Sequence, residues 1–252
     1  MQAVLYICHG SRVKEAAKEA KLFIEQCMKV VDVPLQEICF LELEEPSIAE
    51  GFARCIEKGA TKIAVVPVLL LAGGHAKQDI PNELYALQHK YKEVAVSYGR
   101  PLGVHEHIPS ILLERIGKER IEPCARVLIV GRGSSDPDVL RDMQRITSLM
   151  ENAYPFQKVD FCFLAAAKPS FQEGLQQALS SHLNQLFVVP YLLFTGRLMQ
   201  KMECTIKQLH RKNVVLCPCL GYHPKLVELL KQRTEETIRG EVLVSHYNMY
   251  EG

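Results

Sequence analysis

Three residues near the start of the chain have the types that transition-metal chemistry needs: His9, Glu42 and His75. Each follows an apolar, β-branched run, after Cys8, Leu41 and Leu71. Neutral imidazole with carboxylate suits divalent iron, cobalt or nickel, and imidazole also takes and gives protons near neutral pH. A lone histidine after a strand is more often a hydrogen-bonded polar residue than a ligand, so residue type alone decides little. A comparison within the sequence decides more.

His9-Gly10-Ser11, Pro46-Ser47 and Val65-Val66-Pro67 recur as Arg132-Gly133-Ser134, Pro169-Ser170 and Val188-Val189-Pro190, every pair 123 positions apart. Glu50-Gly51 with Glu173-Gly174, and Leu69-Leu70 with Leu192-Leu193, keep that register. Further along, Leu102-Gly103 and His105 are answered by Leu220-Gly221 and His223, now 118 apart. One register held over so many motifs marks an internal duplication. At the places of His9, Glu42 and His75 the second copy carries Arg132, Ala165 and Leu198, while the Gly, Pro and Leu framework is kept. Groups needed only for folding would be needed twice. Their joint loss points to one active lobe and one lobe kept for shape or binding.

Each half reads as four strands alternating with four helices, which predicts an α/β fold of two similar lobes, each a parallel four-stranded sheet flanked by helices. The expected strands are Ala3–Cys8, Val33–Leu41, Ile63–Leu70 and Val94–Tyr98, then Val127–Val130, Val159–Leu164, Leu186–Leu193 and Val214–Leu216. Ala16, Ala20, Phe23, Ile24 and Cys27 share one face of a helix from Val13 to about Val30. Pro46 falls at a helix start, where a missing N–H costs nothing. The charged, proline-bearing stretch Lys118–Ala125 suggests a junction, giving lobes 1–120 and 121–240 and a tail, 241–252, without clear structure. Ligands of such sheets bind beyond the carboxyl ends of the strands. His9, Glu42 and His75 stand there.

Other readings of the His-Gly-Ser segment fare worse. A phosphohistidine enzyme wants Arg before His-Gly, and Cys8 is there; a dinucleotide site wants G-x-G-x-x-G, and neither copy reaches its third glycine. Ser11 lacks the G-x-S-x-G elbow of a nucleophile. In Gly131-Arg132-Gly133-Ser134-Ser135-Asp136-Pro137, Ser135 or Asp136 caps the next helix, and the nearby guanidinium suits a carboxylate or phosphate. Ala72–Lys77 and Thr195–Arg197 are similar loops with one basic residue each. His105 and His107 read as a polar helix start, His223 as a packing residue, and His89, His182 and His210 as solvated; His246 lies in the tail.

With 30 Lys and Arg against 29 Asp and Glu the net charge is +1, so no global field holds the chain on nucleic acid or an anionic membrane. The longest apolar run, Ile63 to Ala72, is half of what a membrane span needs, and no export leader is visible, so a cytoplasmic protein is expected. Nine cysteines, an odd number mostly within apolar stretches such as those of Cys8, Cys39, Cys55 and Cys162, read as reduced core residues. Cys217 and Cys219 are too close for a zinc ribbon.

The segments LYICHGSRVKEA, ICFLELEEPSI, AVVPVLLLAGGHAKQDIP, VGRGSSDPD and VVPYLLFTGRLM resemble the sirohydrochlorin ferrochelatases of the CbiX/SirB class II chelatase family, in their long, two-lobed form. The resemblance runs from Val4 to about Arg233 and implies a chelatase-like fold with a cleft between lobes. It implies a lyase that inserts Fe2+ into sirohydrochlorin to give sirohaem, without a permanent cofactor, and with His9, His75 and Glu42 as metal-binding and catalytic groups. Co2+ or Ni2+ would serve in vitro, and an anaerobic cobaltochelatase is the rival enzyme. A metal carrier or a tetrapyrrole-binding module is the rival of another class. Because the substrate is a polycarboxylate, Arg12, Lys77, Arg132 and Arg197, with the hydroxyls of Ser11, Ser134 and Ser135, are the expected substrate-binding groups. One chain holds both copies, so a monomer is the simplest expectation.

Overall fold

The computed structural model describes residues 1–180 and 184–240. His182, His246 and the expected tail therefore lie outside the described residues. The first half runs β1 (Gln2–Cys8), α1 (Lys14–Met28), β2 (Leu35–Phe40), α2 (Ile48–Glu57), β3 (Lys62–Pro67), α3 (Ile80–Lys90), β4 (Ala95–Tyr98) and α4 (Ile108–Ile116). The second runs β5 (Arg126–Gly131), α5 (Pro137–Ala153), β6 (Lys158–Phe163), α6 (Phe171–Leu179), β7 (Leu186–Tyr191), α7 (Arg197–Gln208), β8 (Val214–Leu216) and α8 (Pro224–Ile238). A π-helical turn, His75–Asp79, precedes α3.

Both sheets are wholly parallel, in the orders β2-β1-β3-β4 and β6-β5-β7-β8. The duplication persists in the hydrogen-bond register. Val4 lies between Gln36 and Ala64, and Val127, its counterpart, lies between Val159 and Phe187. Central strands buried on both faces require near-continuous apolar sequence, and β1 and β5 supply it: Ala3 to Cys8 and Val127 to Val130 are all buried. In the first sheet Ala3, Leu5 and Ile7 meet Ile48, Phe52 and Cys55 of α2 and Ile80 and Leu84 of α3. On the other face the Tyr6 hydroxyl donates to Gln36 Oε1 at 3.0 Å and lies 3.9 Å from Cys27 Sγ of α1.

Local signals repeat as well. Ser47 and Glu50 form a capping box at α2, and Ser170 and Glu173 form its copy at α6. Pro46 precedes that cap instead of opening the helix, because the Ser47 hydroxyl takes the Glu50 N–H and so fixes the first turn at Ile48. Gly51 and Gly174 let these helices lie against their strands: a Cβ would come within 2.7 Å of Cys39 Cβ and 2.6 Å of Cys162 Cβ.

The compact units differ from the expected 1–120 and 121–240. One comprises Met1–Gly103 with the chain from Leu226; the other is Val104–Lys225. Helix α4, although it follows β4, packs on α5 and β7. Its Arg115 guanidinium donates to Leu220 O, and Glu114 meets His223 Nε2 at 2.8 Å. Helix α8 lies in the first unit, where buried Arg233 donates to Pro101 O and Leu102 O at 3.2 Å. An apolar helix face fits either of two similar sheets, so sequence pattern could not assign it.

Among the described residues no disulfide forms; seven cysteines are buried, and Cys124 and Cys204 are exposed. No described helix is long and apolar enough to cross a membrane.

Candidate active site

Strand order sets the site. Because β1 lies between β2 and β3, the residue after β1 is flanked by the loops leaving its two neighbours. Pairing with the β2 side continues past the strand ends, with Leu41 N–H donating to Cys8 O at 2.8 Å and Glu42 N–H to His9 O at 3.1 Å. Gly10 makes this possible. Its φ is +92°, and a Cβ there would overlap the carbonyl oxygen of Glu42. Leu43, at φ 66°, then turns the chain while remaining 48% exposed beside Glu42.

The three expected groups converge. His9 Nε2 is 3.1 Å from His75 Nε2 and 3.5 Å from Glu42 Oε1. The rings meet edge to face with centroids 4.7 Å apart. All three side chains keep one face toward solvent, at 24% exposure for His9, 33% for His75 and 47% for Glu42. Cys8, next to His9 in the chain, is buried, and burial pushes its thiol up to about 12.

The other ring nitrogens define the tautomers. His9 Nδ1 is 3.1 Å from Gly10 O, and His75 Nδ1 is 2.6 Å from Asp79 Oδ2. A carbonyl and a carboxylate only accept, so each imidazole holds its proton on Nδ1 and aims the Nε2 lone pair at its neighbour. Two lone pairs and a carboxylate then face one point, which a proton or a cation must occupy for the contact to be favourable. Among the described residues no three-ligand cage is preformed. The 3.1 Å between the nitrogens nevertheless suits two adjacent positions around an ion bound at about 2.1 Å from each.

The remaining expected residues divide between the units. Beside His9, Ser11 Oγ accepts Val13 N–H at 3.1 Å, Arg12 is exposed, and half-buried Lys77 lies in the π turn. In the second unit Ser134 Oγ accepts Asp136 N–H at 3.1 Å, Arg132 and Ser135 are exposed, and exposed Arg197 opens α7. Both bonded hydroxyls keep their protons to donate. Asp136, not Ser135, caps α5. His107 is the N-cap residue of α4, and His105 Nδ1 accepts its N–H at 3.2 Å; His223 Nδ1 accepts Lys225 N–H at 3.2 Å in the same way. Reading the sequence missed Asp79. The spacing His-x-x-x-Asp was the available signal, since residues four apart share a helix face.

The CbiX family model matches this chain twice, over residues 3–119 and 126–237. The chain belongs to the CbiX family. A sirohydrochlorin ferrochelatase of Priestia megaterium is 48% identical over 254 residues, covering 99% of this chain and 95% of the relative. A sirohydrochlorin cobaltochelatase of the same organism is 37% identical over 252 residues, covering 96% and 82%. Among solved structures, SirB from Bacillus subtilis with Fe3+ superposes with a TM-score of 0.86 at 43% identity, covering 95% of this CbiX chain and 96% of that one. The resemblance read from the motifs thus extends over nearly the whole chain.

Proposed function

We propose that this CbiX protein is a sirohydrochlorin ferrochelatase, a lyase that inserts Fe2+ into sirohydrochlorin and releases two protons, in the cytoplasm and as a monomer. The observation that carries the reading is the pair of imidazole Nε2 atoms, 3.1 Å apart and flanked by Glu42. The relatives favour iron, since the ferrochelatase is the nearer at 48% against 37% for the cobaltochelatase. Iron is substrate here, not a resident cofactor.

The geometry suggests how ligand and base are the same groups. Fe2+ enters by replacing the shared proton between His9 and His75, with Glu42 offsetting its charge. Two neutral nitrogens and one carboxylate leave coordination positions open, so the macrocycle can approach from the exposed side. As the ion moves to the ring nitrogens, the position between the two Nε2 atoms and the Glu42 carboxylate are both vacated, so the two pyrrole N–H protons have acceptors in place, one shared by the imidazoles and one on Glu42. Two positive charges leave the site and two arrive. The first copy, 1–120, then carries the chemistry, and the second, 121–240, contributes shape and binding. The substrate carboxylates are met by Arg12, Lys77, Arg132 and Arg197 and by the hydroxyls of Ser11, Ser134 and Ser135.

Anaerobic incubation with sirohydrochlorin and Fe2+, Co2+ or Ni2+, followed by the absorbance of the macrocycle, tests this. His9→Ala and His75→Ala are each expected to lower the rate at least 100-fold, about the loss typical of removing a positioned acid or base. Parental rates in both variants would reject the site. A carrier would bind the ion without changing the spectrum of the macrocycle, and a binding module would not need the imidazoles.

A further inference from the structure

We propose that Asp79 is a positioning residue for metallation, held in line with His75 by a π-helical turn that the first copy has and the second lacks. This rests on the reading of His75 as a group that binds the metal.

The turn closes with Ile80 N–H on His75 O, a span one residue longer than the α pattern. The core spacing reveals the inserted residue. Helix α7 and its C-cap residue turn Met199, Met202, Ile206 and Leu209 inward at steps of three, four and three, whereas the first copy turns in Ala76, Ile80, Leu84 and Leu87 at four, four and three. Both segments start alike, with Lys77 N–H on Gly73 O at 3.1 Å and Gln200 N–H on Gly196 O at 3.0 Å. The extra residue therefore lies between Ala76 and Ile80.

Two side chains accommodate it. Pro81 has no N–H to offer Ala76 O, and the buried hydroxyl of Tyr98 donates to that carbonyl at 2.8 Å. In the second copy Glu203 and Leu216 stand at these places. A turn wider than the roughly 3.6-residue α turn brings residues four apart closer to eclipsed. Asp79 Oδ2 consequently sits 2.6 Å from His75 Nδ1, fixing the proton there and the lone pair on Nε2, toward His9. The residues that could answer Asp79 in the second copy are Lys201 and Met202, and neither accepts a ring N–H. The carboxylate has gone together with the imidazole it orients.

The test is an anaerobic Co2+ titration of the full chain, read from the visible ligand-field bands, together with KM for Fe2+ and kcat under turnover. Asp79→Ala is expected to weaken Co2+ binding about 10- to 100-fold and to raise KM for Fe2+ more than it lowers kcat. The melting temperature should stay parental, because the side chain is 53% exposed. Asp79→Asn, whose amide oxygen still accepts the Nδ1 proton, is expected to recover most of the loss. Parental Co2+ affinity in Asp79→Ala, or no recovery in Asp79→Asn, overturns the proposal. His75→Ala separates the two readings: if it loses the Co2+ bands while Asp79→Ala keeps them, only the role of Asp79 falls. If His75→Ala keeps the parental bands, the metal reading falls and this one with it.

Discussion

At the scale of single residues the site is governed by which atoms have lone pairs and which backbones can touch. On the proposed reading, Gly10 O and Asp79 take the protons on the far side of the His9 and His75 rings, so the near nitrogens are left to share one cation. Gly10 contributes without any chemistry of its own, and the duplication offers an internal control in Gly133, at φ +95° and equally tight against Ala165 O. Gly10→Ala and Gly133→Ala are both expected to lower the thermal midpoint, since each combines a positive φ with backbone overlap and costs more than about 1 kcal/mol. Only Gly10→Ala should also abolish Co2+ binding, because it alone displaces Glu42; equal Co2+ affinity in the two variants would contradict this. The three ligand candidates were legible in the sequence through their joint absence from the second copy. Asp79 was marked only by its His-x-x-x-Asp spacing, an ordinary pattern in a helical stretch until the wider turn sets the carboxylate against His75 Nδ1.

At the scale of elements, strands and capped helices were readable because their determinants are local. Periodicity, capping boxes and the glycines against Cys39 and Cys162 recur in both copies with the same consequences. The π turn differs: it depends on Tyr98, a residue of β4, reaching the backbone of the preceding connection. Tyr98→Phe leaves Ala76 O without that buried donor and is expected to cost about 1–3 kcal/mol in chemical denaturation. It should weaken Co2+ binding as well. Unchanged stability would show that the hydroxyl does not support the turn.

At the scale of the whole molecule, the family match follows the sequence halves, 3–119 and 126–237, whereas the compact units exchange their final helices. Helix α8 is tied into the first unit by a buried ion network. Arg233 is 3% exposed and meets Glu236, 9% exposed, at 2.9 Å, and Arg100 donates twice to the same carboxylate at 3.0 Å. Burial pushes the Glu236 carboxyl up, but the guanidiniums of Arg100 and Arg233 outweigh it and hold the group below its ordinary 4.5. A lowered carboxylate stabilises the fold above its ordinary value and loses that contribution as pH falls through the lowered one. Glu236→Gln should therefore cost about 3 kcal/mol at neutral pH. In urea titrations the gap to the parent should narrow below pH 4.5; a gap that does not depend on pH would argue against the ionised network.

The sequence by itself determined the duplicated α/β pattern, the strand ends where His9, Glu42 and His75 stand, and the asymmetry between the copies. These are properties of residue type and spacing along the chain. Only the tertiary structure decided which unit receives α4 and α8, which way the two imidazoles present their lone pairs, and that Asp79 belongs with them. The reason is physical: an apolar helix face or a ring nitrogen has several energetically similar partners, and which one it meets depends on contacts made by distant parts of the chain.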